Sequence, residues 1–502
     1  MKFSLLYKTR EETKPSDALY DLSVDRVVAV FCSDRRRADY FMDVLSRPSQ
    51  SVTNVVYRQQ ILTDLRACPG LFEDLQLVFT RYDKIKSDWH ELRLSASPSG
   101  VSVNSDALLE RTFASLKVTA MFPGTIMSFY SSLFDTLGKY NLTSEGLLSM
   151  RNYCAEMREN HSLNEIVRIA ELFQYKTSLD YTFGVTLEYD ATLRLRSSEL
   201  CEISQRAVKP NAFARLFTRK KEDDGSTEIT PDMDAPDATA PDEKTSEQDM
   251  TSEDAAFALG AALTHIDAAL SHITDEIYEK FFGLSRELMF YEGALAYCDF
   301  VTQRGLPLCT PELLPAESDI IELDSVRDLT LAAEGKSGAQ IIPNSLSLDA
   351  AREGIIVRGK NNTGKTVFLR SVGTAQLLAQ AGLPVCADRA RLSMRGGIFS
   401  HFSSAEEEFM AGDAAGRFDG EVKAVAHIID SLRPYSLILF NETFQTTAYD
   451  EGTEGMAGIL DILPRTGAKY IFVTHLLKLF ERCDPARVKL LTSDEEFRIA
   501  LY

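Results

Sequence analysis

The sequence has no apolar run close to the roughly 20 residues that a membrane-spanning helix needs. Residues 1–8 also lack an apolar stretch that could serve as a signal peptide. The eight cysteines are scattered and include no C-x-x-C pair, which argues against a structural zinc site and against a disulfide framework. We therefore expect no membrane partner and a cytoplasmic protein with reduced thiols.

An excess of basic residues is also missing. The formal net charge is −20, and −12 of it falls between residues 222 and 254, where 13 Asp and Glu accompany one Lys. This acidity gives no support for a globally basic nucleic-acid-binding protein. Because the stretch also has almost no apolar residues, we expect 219–254 to be a disordered insert. The Arg35-Arg36-Arg37 triplet could contact nucleic acid, but a solvated helix face is the more ordinary interpretation.

Helical periodicity dominates the first part of the 502-residue chain, which is long enough for about two to four domains. Helical patterns fill 20–175, and alternating polar and apolar residues near 181–196 predict a β-hairpin attached to them. The pattern returns at 255–304 with few breakers, which predicts either a rod or a helical pair. We expect a helical domain over 1–218 that is completed by the helices of 255–314.

Beyond Gly305 the pattern changes to short β-like runs, several of them separated by helical patterns. Such alternation is typical of an α/β domain, so we expect one with a largely parallel sheet over 315–502. The predicted strands are 320–323, 328–332, 340–342, 354–357, 397–402, 436–440, 469–473, 487–491 and 497–501.

One glycine-rich loop separates the strand predicted at 354–357 from a helical pattern. Its residues Gly359-Lys-Asn-Asn-Thr-Gly364-Lys365-Thr366 fit G-x-x-x-x-G-K-[ST], the pattern of a phosphate-binding loop. The two glycines let backbone N–H groups point at a phosphate. Lys365 would reach the β- and γ-phosphates, and Thr366 would offer its hydroxyl to Mg²⁺. A chance match is the alternative, because the pattern is loose.

Two later strands end in polar residues that such a loop needs. The strand predicted at 436–440 runs into Asn441-Glu442, and the next strand runs into Thr474-His475. Glu442 can orient or deprotonate an attacking water, Asn441 lies where an Asp usually faces Mg²⁺, and His475 can sense the γ-phosphate. Their order and spacing predict an ABC-type domain. The expected fold class is thus multidomain, with an α-helical part followed by an α/β P-loop ATPase domain.

These motifs resemble the ATPase domain of the MutS family. The MutS loop reads G-P-N-M-G-G-K-S, Pro343-Asn344 resembles a family element near the adenine, and Thr474-His475 resembles the family's switch. The sequence Gly416-Arg-Phe418-Asp-Gly-Glu421 resembles the F-x-x-E of the signature helix. The resemblance implies ATP and Mg²⁺ as cofactors. It adds four positions expected to bind the nucleotide: Asn344, Asn361, Thr363 and Val367.

The resemblance also implies a homodimer. The signature helix of the family acts on the nucleotide of the opposite subunit, so Gly416, Phe418 and Glu421 are expected to act in trans. The helical region is less specifically similar to the MutS core domain, with its return and lever helices at 255–314. DNA is an expected partner through this resemblance alone.

The sequence departs from the MutS pattern at several points. There is no room for the mismatch-reading and connector domains, and the hairpin and the acidic insert stand where the DNA clamp would be. Gly416 replaces the signature Ser, and Asn441 replaces the usual Asp, although Thr366 and Asn441 are still the expected metal contacts. One unit charge about 5 Å from another, at an effective dielectric of about 20, amounts to about 3 kcal/mol before screening. We therefore expect weakened Mg²⁺ binding and slow hydrolysis.

The leading hypothesis is a MutS-like ATPase that dimerises through its ATPase domains and couples ATP to the clamping of a DNA structure, without mismatch recognition. The alternative is a nucleotide-dependent scaffold or binding module that hydrolyses ATP very slowly or not at all. A small-molecule kinase is disfavoured, because no lid-like Arg-rich segment follows the loop.

Overall fold

The structure is a computed structural model that describes residues 3–96, 105–174, 179–189, 195–207, 252–403, 414–444 and 449–502. Residues 219–251 of the segment predicted to be disordered lie outside the described residues. The turn of the predicted hairpin, 190–194, also lies outside them. Within the described ranges, no helix is both long and apolar enough to cross a membrane.

The chain divides into two compact units. The first comprises Met1–Phe79, Leu133–Cys154 and Lys280–Tyr502, and the second comprises Thr80–Ser132 and Ala155–Glu279. The residues before 80 therefore belong to the same unit as the α/β region. The domain boundaries expected from the sequence stay a prediction.

Helices account for most of the described residues before Gly305. Two of these helices begin at capping residues, since Asp34 accepts a hydrogen bond from the Arg37 N–H at 2.8 Å and Ser51 accepts one from the Asn54 N–H at 3.3 Å. Helices α1 to α9 are Ala18–Asp21, Val24–Phe31, Arg35–Ser46, Val52–Ala67, Leu71–Ala96, Ser105–Thr119, Phe122–Gly138, Glu145–Glu159 and His161–Gln174.

Helix α10, Ser252–Gln303, is one continuous helix of 52 residues, so of the two expected forms the rod is the one found. The chain turns away from the helix at Gly305, whose φ of 68° is in the left-handed region that glycine tolerates. The Leu306 N–H donates to the Val301 carbonyl and the Gly305 N–H donates to the Thr302 carbonyl, at 3.1 and 3.0 Å. This is the Schellman pattern of a helix end.

In the first unit, buried polar side chains hold the segment near the N-terminus. The Glu287 carboxylate accepts hydrogen bonds from the Ser4 hydroxyl and the Leu5 N–H, at 2.7 and 2.5 Å. The Tyr291 hydroxyl donates to the Leu5 carbonyl at 2.7 Å, and Arg58 Nε donates to the Leu6 carbonyl at 2.8 Å. The segment is therefore fixed by its backbone groups, which need partners when buried.

The second unit contains the predicted hairpin and a small apolar core. Strands β1 and β2, Leu179–Tyr189 and Leu195–Ala207, pair antiparallel, and they are longer than the sequence pattern predicted. In the core, the Asp267 carboxylate accepts hydrogen bonds from the hydroxyls of Ser115 and Thr119, both at 2.7 Å. The core residues are Leu116, Ala120, Ala170, Leu263 and Leu270.

The α/β region of the first unit contains a six-stranded sheet with the order β12-β11-β6-β10-β9-β8. Every neighbouring pair is parallel except β11 and β12, so the expected parallel character is confirmed. Strands β3 to β12 are Glu312–Leu314, Ile321–Val326, Asn344–Leu348, Gly354–Arg358, Arg389–Ser393, Ile398–Phe402, Leu437–Asn441, Lys469–Val473, Val488–Ser493 and Ile499–Leu501.

A second sheet, with the order β3-β7-β4-β5, was only partly predicted. Only the β3–β7 pair is parallel in it, and the strands β3, β5 and β7 were missed. The strand predicted at 328–332 is wrong. Asp328 caps helix α11, Leu329–Ala333, by accepting a hydrogen bond from the Leu331 N–H at 3.0 Å. The strand predicted at 340–342 is also wrong, because a short 3₁₀ turn, Gly338–Gln340, leads into that segment.

Helix α12, Lys365–Ala381, follows β6 and is buried along most of its length. Close packing against the sheet explains Gly373, where an added Cβ would lie 2.5 Å from Leu439 Cδ1 and 2.7 Å from Leu22 Cδ2. The remaining helices are α13, Ala414–Ser431, α14, Tyr449–Ile462, and α15, Leu477–Arg482. The parallel strands thus bring their carboxyl ends to one edge, where α12 begins.

Candidate functional site

The glycine loop, 359–366, connects the end of β6 to the start of α12. An added Cβ at Gly359 would lie only 1.9 Å from Ser493 Oγ, so no larger residue fits there without displacing Ser493. Gly364 has a φ of 78°, and the nearby Asn362 has a φ of 60°. Gly359 is therefore required because Ser493 approaches its backbone closely, and Gly364 is required because its backbone is left-handed.

The Lys365 ammonium folds back into the loop that precedes it. Its Nζ donates to the carbonyls of Gly359 and Lys360, at 3.0 and 2.7 Å. Burial lowers the pKa of Lys365, and the nearby Glu442 carboxylate acts in the opposite direction. A cation is thus held inside the loop by two neutral carbonyls, leaving its charge available to an anion.

Thr366 and Asn441 meet at the carboxyl edge of the sheet. The Thr366 hydroxyl donates to Asn441 Oδ1 at 3.1 Å, although the two residues are far apart in the sequence. Asn441 is the last residue of β9 and is buried. The structure therefore brings together the two side chains predicted to contact a metal, a hydroxyl and an amide, both of which carry oxygen donors that Mg²⁺ accepts.

Glu442 follows β9 in a left-handed conformation with a φ of 54°. Its backbone N–H donates to the Val473 carbonyl at 2.9 Å, and its Oε1 lies 2.9 Å from His475 Nε2. The second carboxyl oxygen, Oε2, is buried and has no hydrogen-bond partner among the described residues. Burial raises the pKa of Glu442 to about 7, against the lowering effects of Lys365 and a backbone hydrogen bond from His475.

His475 lies just beyond the end of β10. Burial lowers the pKa of this imidazole, and the Lys365 charge lowers it further. The neutral form of His475 is therefore favoured at neutral pH, where Glu442 exchanges its proton. We interpret the 2.9 Å contact as a hydrogen bond rather than a full ion pair.

The predicted adenine-side residue, Asn344, contacts the turn between β11 and β12. Its Nδ2 donates to the Phe497 carbonyl at 3.2 Å, and its Oδ1 accepts from the Ile499 N–H at 2.8 Å. The Phe497 ring lies next to Gly364, with its Cδ1 at 3.3 Å from the position of an added Cβ. Lys360 and Glu495 form an exposed ion pair at 2.6 Å. The turn therefore lies against the glycine loop.

The other predicted loop positions differ in their surroundings. The Thr363 hydroxyl donates to the Lys360 carbonyl at 2.8 Å and lies 2.5 Å from Ser493 Oγ, so it fixes the loop to β11. Asn361 is exposed and Val367 is half-buried in the first turn of α12. None of the sequence patterns pointed to Ser493, whose role depends on a strand pairing that the loop motif does not encode.

The predicted signature residues lie on α13. Gly416 is in the first turn of this helix, and the Phe418 ring is 5.6 Å from the ring of Phe444. Glu421 accepts a hydrogen bond from the Ser403 hydroxyl at 2.6 Å and another from the Phe444 N–H at 2.8 Å. Both of its oxygens are thus engaged by residues of the same chain, a contact that sequence reasoning missed.

The fold and the site define an α/β domain in which a glycine loop and two polar strand ends meet at one edge of a parallel sheet. Comparison with known families specifies it further. Residues 355–492 match the family model of MutS domain V. This part of the chain is therefore similar to domain V of MutS proteins.

Several curated MutS proteins match parts of the chain. An "Endonuclease MutS2" of Anaeromyxobacter sp. is 36% identical over 170 residues, which cover 33% of this chain and 20% of that protein. An "Endonuclease MutS2" of Lacticaseibacillus casei is 28% identical over 228 residues, which cover 43% of this chain and 28% of that protein. A "DNA mismatch repair protein MutS" of Streptococcus equi subsp. equi is 32% identical over 143 residues, which cover 28% of this chain and 16% of that protein. The matched segments span less than a third of each of these relatives.

Proposed function

We propose that the chain is a MutS-like protein that binds ATP and Mg²⁺ at the glycine loop and hydrolyses the ATP slowly. The observation that carries the proposal is the meeting of Lys365, the Thr366–Asn441 pair and the Glu442–His475 pair at one edge of the parallel sheet. Ligand binding at the carboxyl ends of parallel strands is a general property of such sheets.

The residues present fit a nucleotide with its metal. The loop contains a lysine ammonium bonded only to neutral carbonyls, and α12 begins with its N–H groups directed at the loop. Thr366 and Asn441 would hold Mg²⁺ through their oxygens, directly or through water. The bound metal would supply positive charge to the phosphate oxygens.

Glu442 is the group proposed to position and deprotonate the attacking water. Its buried Oε2 lacks a hydrogen-bond partner among the described residues, as expected for an oxygen that would accept a hydrogen bond from the attacking water. A pKa of about 7 means that a useful fraction of Glu442 is ionised at neutral pH and can accept a proton. His475 holds the other carboxyl oxygen and thereby fixes the direction of the side chain.

Two substitutions test this assignment. Glu442→Gln should leave ATP binding within about threefold and reduce Mg²⁺-dependent turnover by about 100-fold or more, because the amide cannot accept the proton. Lys365→Ala should weaken ATP binding itself, by about 10- to 100-fold, because it removes the cation from the loop. Calorimetry with ATP and a phosphate-release assay measure both quantities. Turnover that is unchanged in Glu442→Gln would show that another group acts as the base.

A second candidate function is supported by one observation. Asn441 accepts a hydrogen bond from Thr366 but contributes no negative charge toward the metal. With a weakly held metal, the site would bind ATP and serve as a nucleotide-dependent scaffold with little or no hydrolysis. ATP binding without multiple-turnover hydrolysis in the intact chain would favour the scaffold.

Dimerisation and DNA binding are proposed from the family relationship. Domain V of the chain would pair with that of a second copy, and the helices of the chain would transmit closure to a DNA structure other than a mismatch. Sedimentation with and without ATP, in the presence of branched, mismatched and plain duplex DNA, tests both parts. A chain that stays monomeric with ATP contradicts the dimer, and failure to bind any of the three DNAs contradicts the DNA partner.

A further inference from the structure

The turn that carries Glu442 has an unusual backbone. Glu442 and Phe444 both have left-handed φ values, 54° and 63°, which residues other than glycine rarely adopt. Neither residue is of a type that favours this region. Such a conformation persists only when surrounding contacts impose it, and it would set the direction of the Glu442 side chain.

Contacts from two other elements hold this turn. Between the two left-handed residues, the Thr443 hydroxyl lies 2.9 Å from His401 Nδ1 on β8. The Phe444 N–H donates to Glu421 Oε2 at 2.8 Å, and Glu421 lies on α13. This N–H follows the strand and has left the ladder of the sheet, so the carboxylate supplies its partner.

Glu421 is fixed at its other oxygen as well. The Ser403 hydroxyl, one residue beyond β8, donates to Oε1 at 2.6 Å, and the Ser403 N–H donates to the Asn441 carbonyl at 3.0 Å. The carboxylate therefore joins α13, the end of β8 and the turn after β9. A group that acted mainly on the nucleotide of another subunit would not have both oxygens engaged in this way.

We propose that Glu421 is a positioning residue that holds the turn 442–444, and through it the Glu442 carboxyl, from within the same subunit. This inference rests on the proposed function, since it assigns Glu421 to the hydrolysis step of that site. It differs from the trans role expected from the family resemblance, because the contacts of Glu421 are with Ser403 and Phe444 of the same subunit. In this role the length of the side chain matters more than its charge.

Two conservative variants separate reach from charge. Glu421→Gln keeps the length, since its carbonyl can accept from the Phe444 N–H and its amide can donate to the Ser403 hydroxyl, which also accepts. Glu421→Asp keeps the charge but is one methylene shorter and cannot span both partners. We expect kcat within about threefold of wild type for the Gln variant. For the Asp variant we expect a kcat about 10- to 100-fold lower, with KM for ATP nearly unchanged.

Hydrogen exchange of the Phe444 amide gives a readout that does not need turnover. It should be faster in Glu421→Asp and as slow as in wild type in Glu421→Gln. Asp419→Asn on the same helix is the matched control, because among the described residues Asp419 forms only an exposed pair with Lys423 at 2.6 Å. This control should change neither kcat nor the exchange rate.

The outcomes distinguish the inference from the function on which it rests. If the wild type does not hydrolyse ATP, or Glu442→Gln leaves turnover unchanged, the proposed function is wrong and the role of Glu421 in hydrolysis is wrong with it. If the wild type is active, Glu442→Gln is inactive and Glu421→Asp has the kcat of wild type, only the inference is overturned. A Gln variant that is slow beside an active Asp variant overturns it too, in favour of a charge effect.

Discussion

Two partly buried carboxylates in the first compact unit have opposite surroundings. Asp319 has a cation at each oxygen, with Arg395 Nη1 at 2.5 Å from Oδ1 and Lys469 Nζ at 3.1 Å from Oδ2. Glu442 has a histidine at one oxygen and no hydrogen-bond partner at the other among the described residues. Asp319 thus belongs to a closed network of ion pairs between the two sheets. Within the described part of the chain, Glu442 has one unpaired oxygen at the sheet edge where the glycine loop lies.

The difference separates a structural group from a functional one. Burial lowers the pKa of Lys469 and of Arg395, and the Asp319 charge opposes both shifts, so this charge partly compensates the burial of the two cations. Burial raises the pKa of Glu442 to about 7, because the single lysine nearby compensates only in part. A buried acid that is incompletely paired is available for proton transfer, and a fully paired one is not.

The largest expected effect comes from breaking the closed network. Asp319→Asn should destabilise the first unit by about 3–5 kcal/mol, because it leaves two buried cations without a counter-charge. Asparagine tolerates the left-handed φ of 51° at this position, so backbone strain is not added. Hydrogen exchange of the buried amides of β10 in increasing urea measures the change.

A surface pair provides the control for this variant. Asp388 lies 3.3 Å from Arg327, with 54% of its side chain exposed. Asp388→Asn should cost less than about 1 kcal/mol, since exposed ion pairs contribute little. Equal costs at the two positions would contradict the distinction between a buried network and an exposed pair.

A smaller effect should come from adding charge to the open site. Asn441→Asp places a carboxylate where the Thr366 hydroxyl already donates, and it should strengthen Mg²⁺ binding and raise kcat by about tenfold, which corresponds to about 1.4 kcal/mol in the barrier. Turnover measured across a Mg²⁺ titration tests this. The increase in kcat should disappear in the double variant that combines Asn441→Asp with Thr366→Ala. An increase that persists in the double variant would mean that the metal binds elsewhere.

The elements around this site were predictable from sequence because each has a local signal. The glycine loop, the buried apolar runs of β6, β9 and β10 and the helical pattern of α12 are each one continuous stretch of sequence. Short apolar runs without periodicity were less reliable, and the segment 328–332 became a helix because Asp328 caps it. That cap was a usable signal in the sequence.

Contacts between distant segments could not be predicted in this way. Strands β3 and β7 are partly exposed strands of five residues or fewer whose partners lie far along the chain, so neither has a strong pattern of its own. The same holds for Glu421, whose carboxylate joins Ser403 and Phe444 only after α13 has packed against the sheet. A motif search indicates that such a glutamate is functional but does not indicate which atoms it touches.

A third buried carboxyl, Glu287, lies between the two extremes of the comparison. It accepts hydrogen bonds from the Ser4 hydroxyl and the Leu5 N–H, which are neutral donors. Burial raises the pKa of Glu287 above its ordinary value, and these hydrogen bonds and the Arg58 charge only partly oppose the shift. A network of neutral donors thus satisfies the geometry of a carboxylate without fully compensating its charge.

The smallest expected effect is a pH dependence at this position. Because the pKa of Glu287 is higher in the folded state, its contribution to stability is fully present below the ordinary Glu value of 4.5 and is lost as pH rises through the folded pKa. Glu287→Gln stays neutral at every pH and should remove this dependence. The hydrogen exchange of the Leu5 and Leu6 amides, compared between wild type and variant at each pH, reports it locally. The stability of the wild type relative to the variant should decrease as pH rises, and an increase would mean that the carboxylate is compensated as fully as that of Asp319.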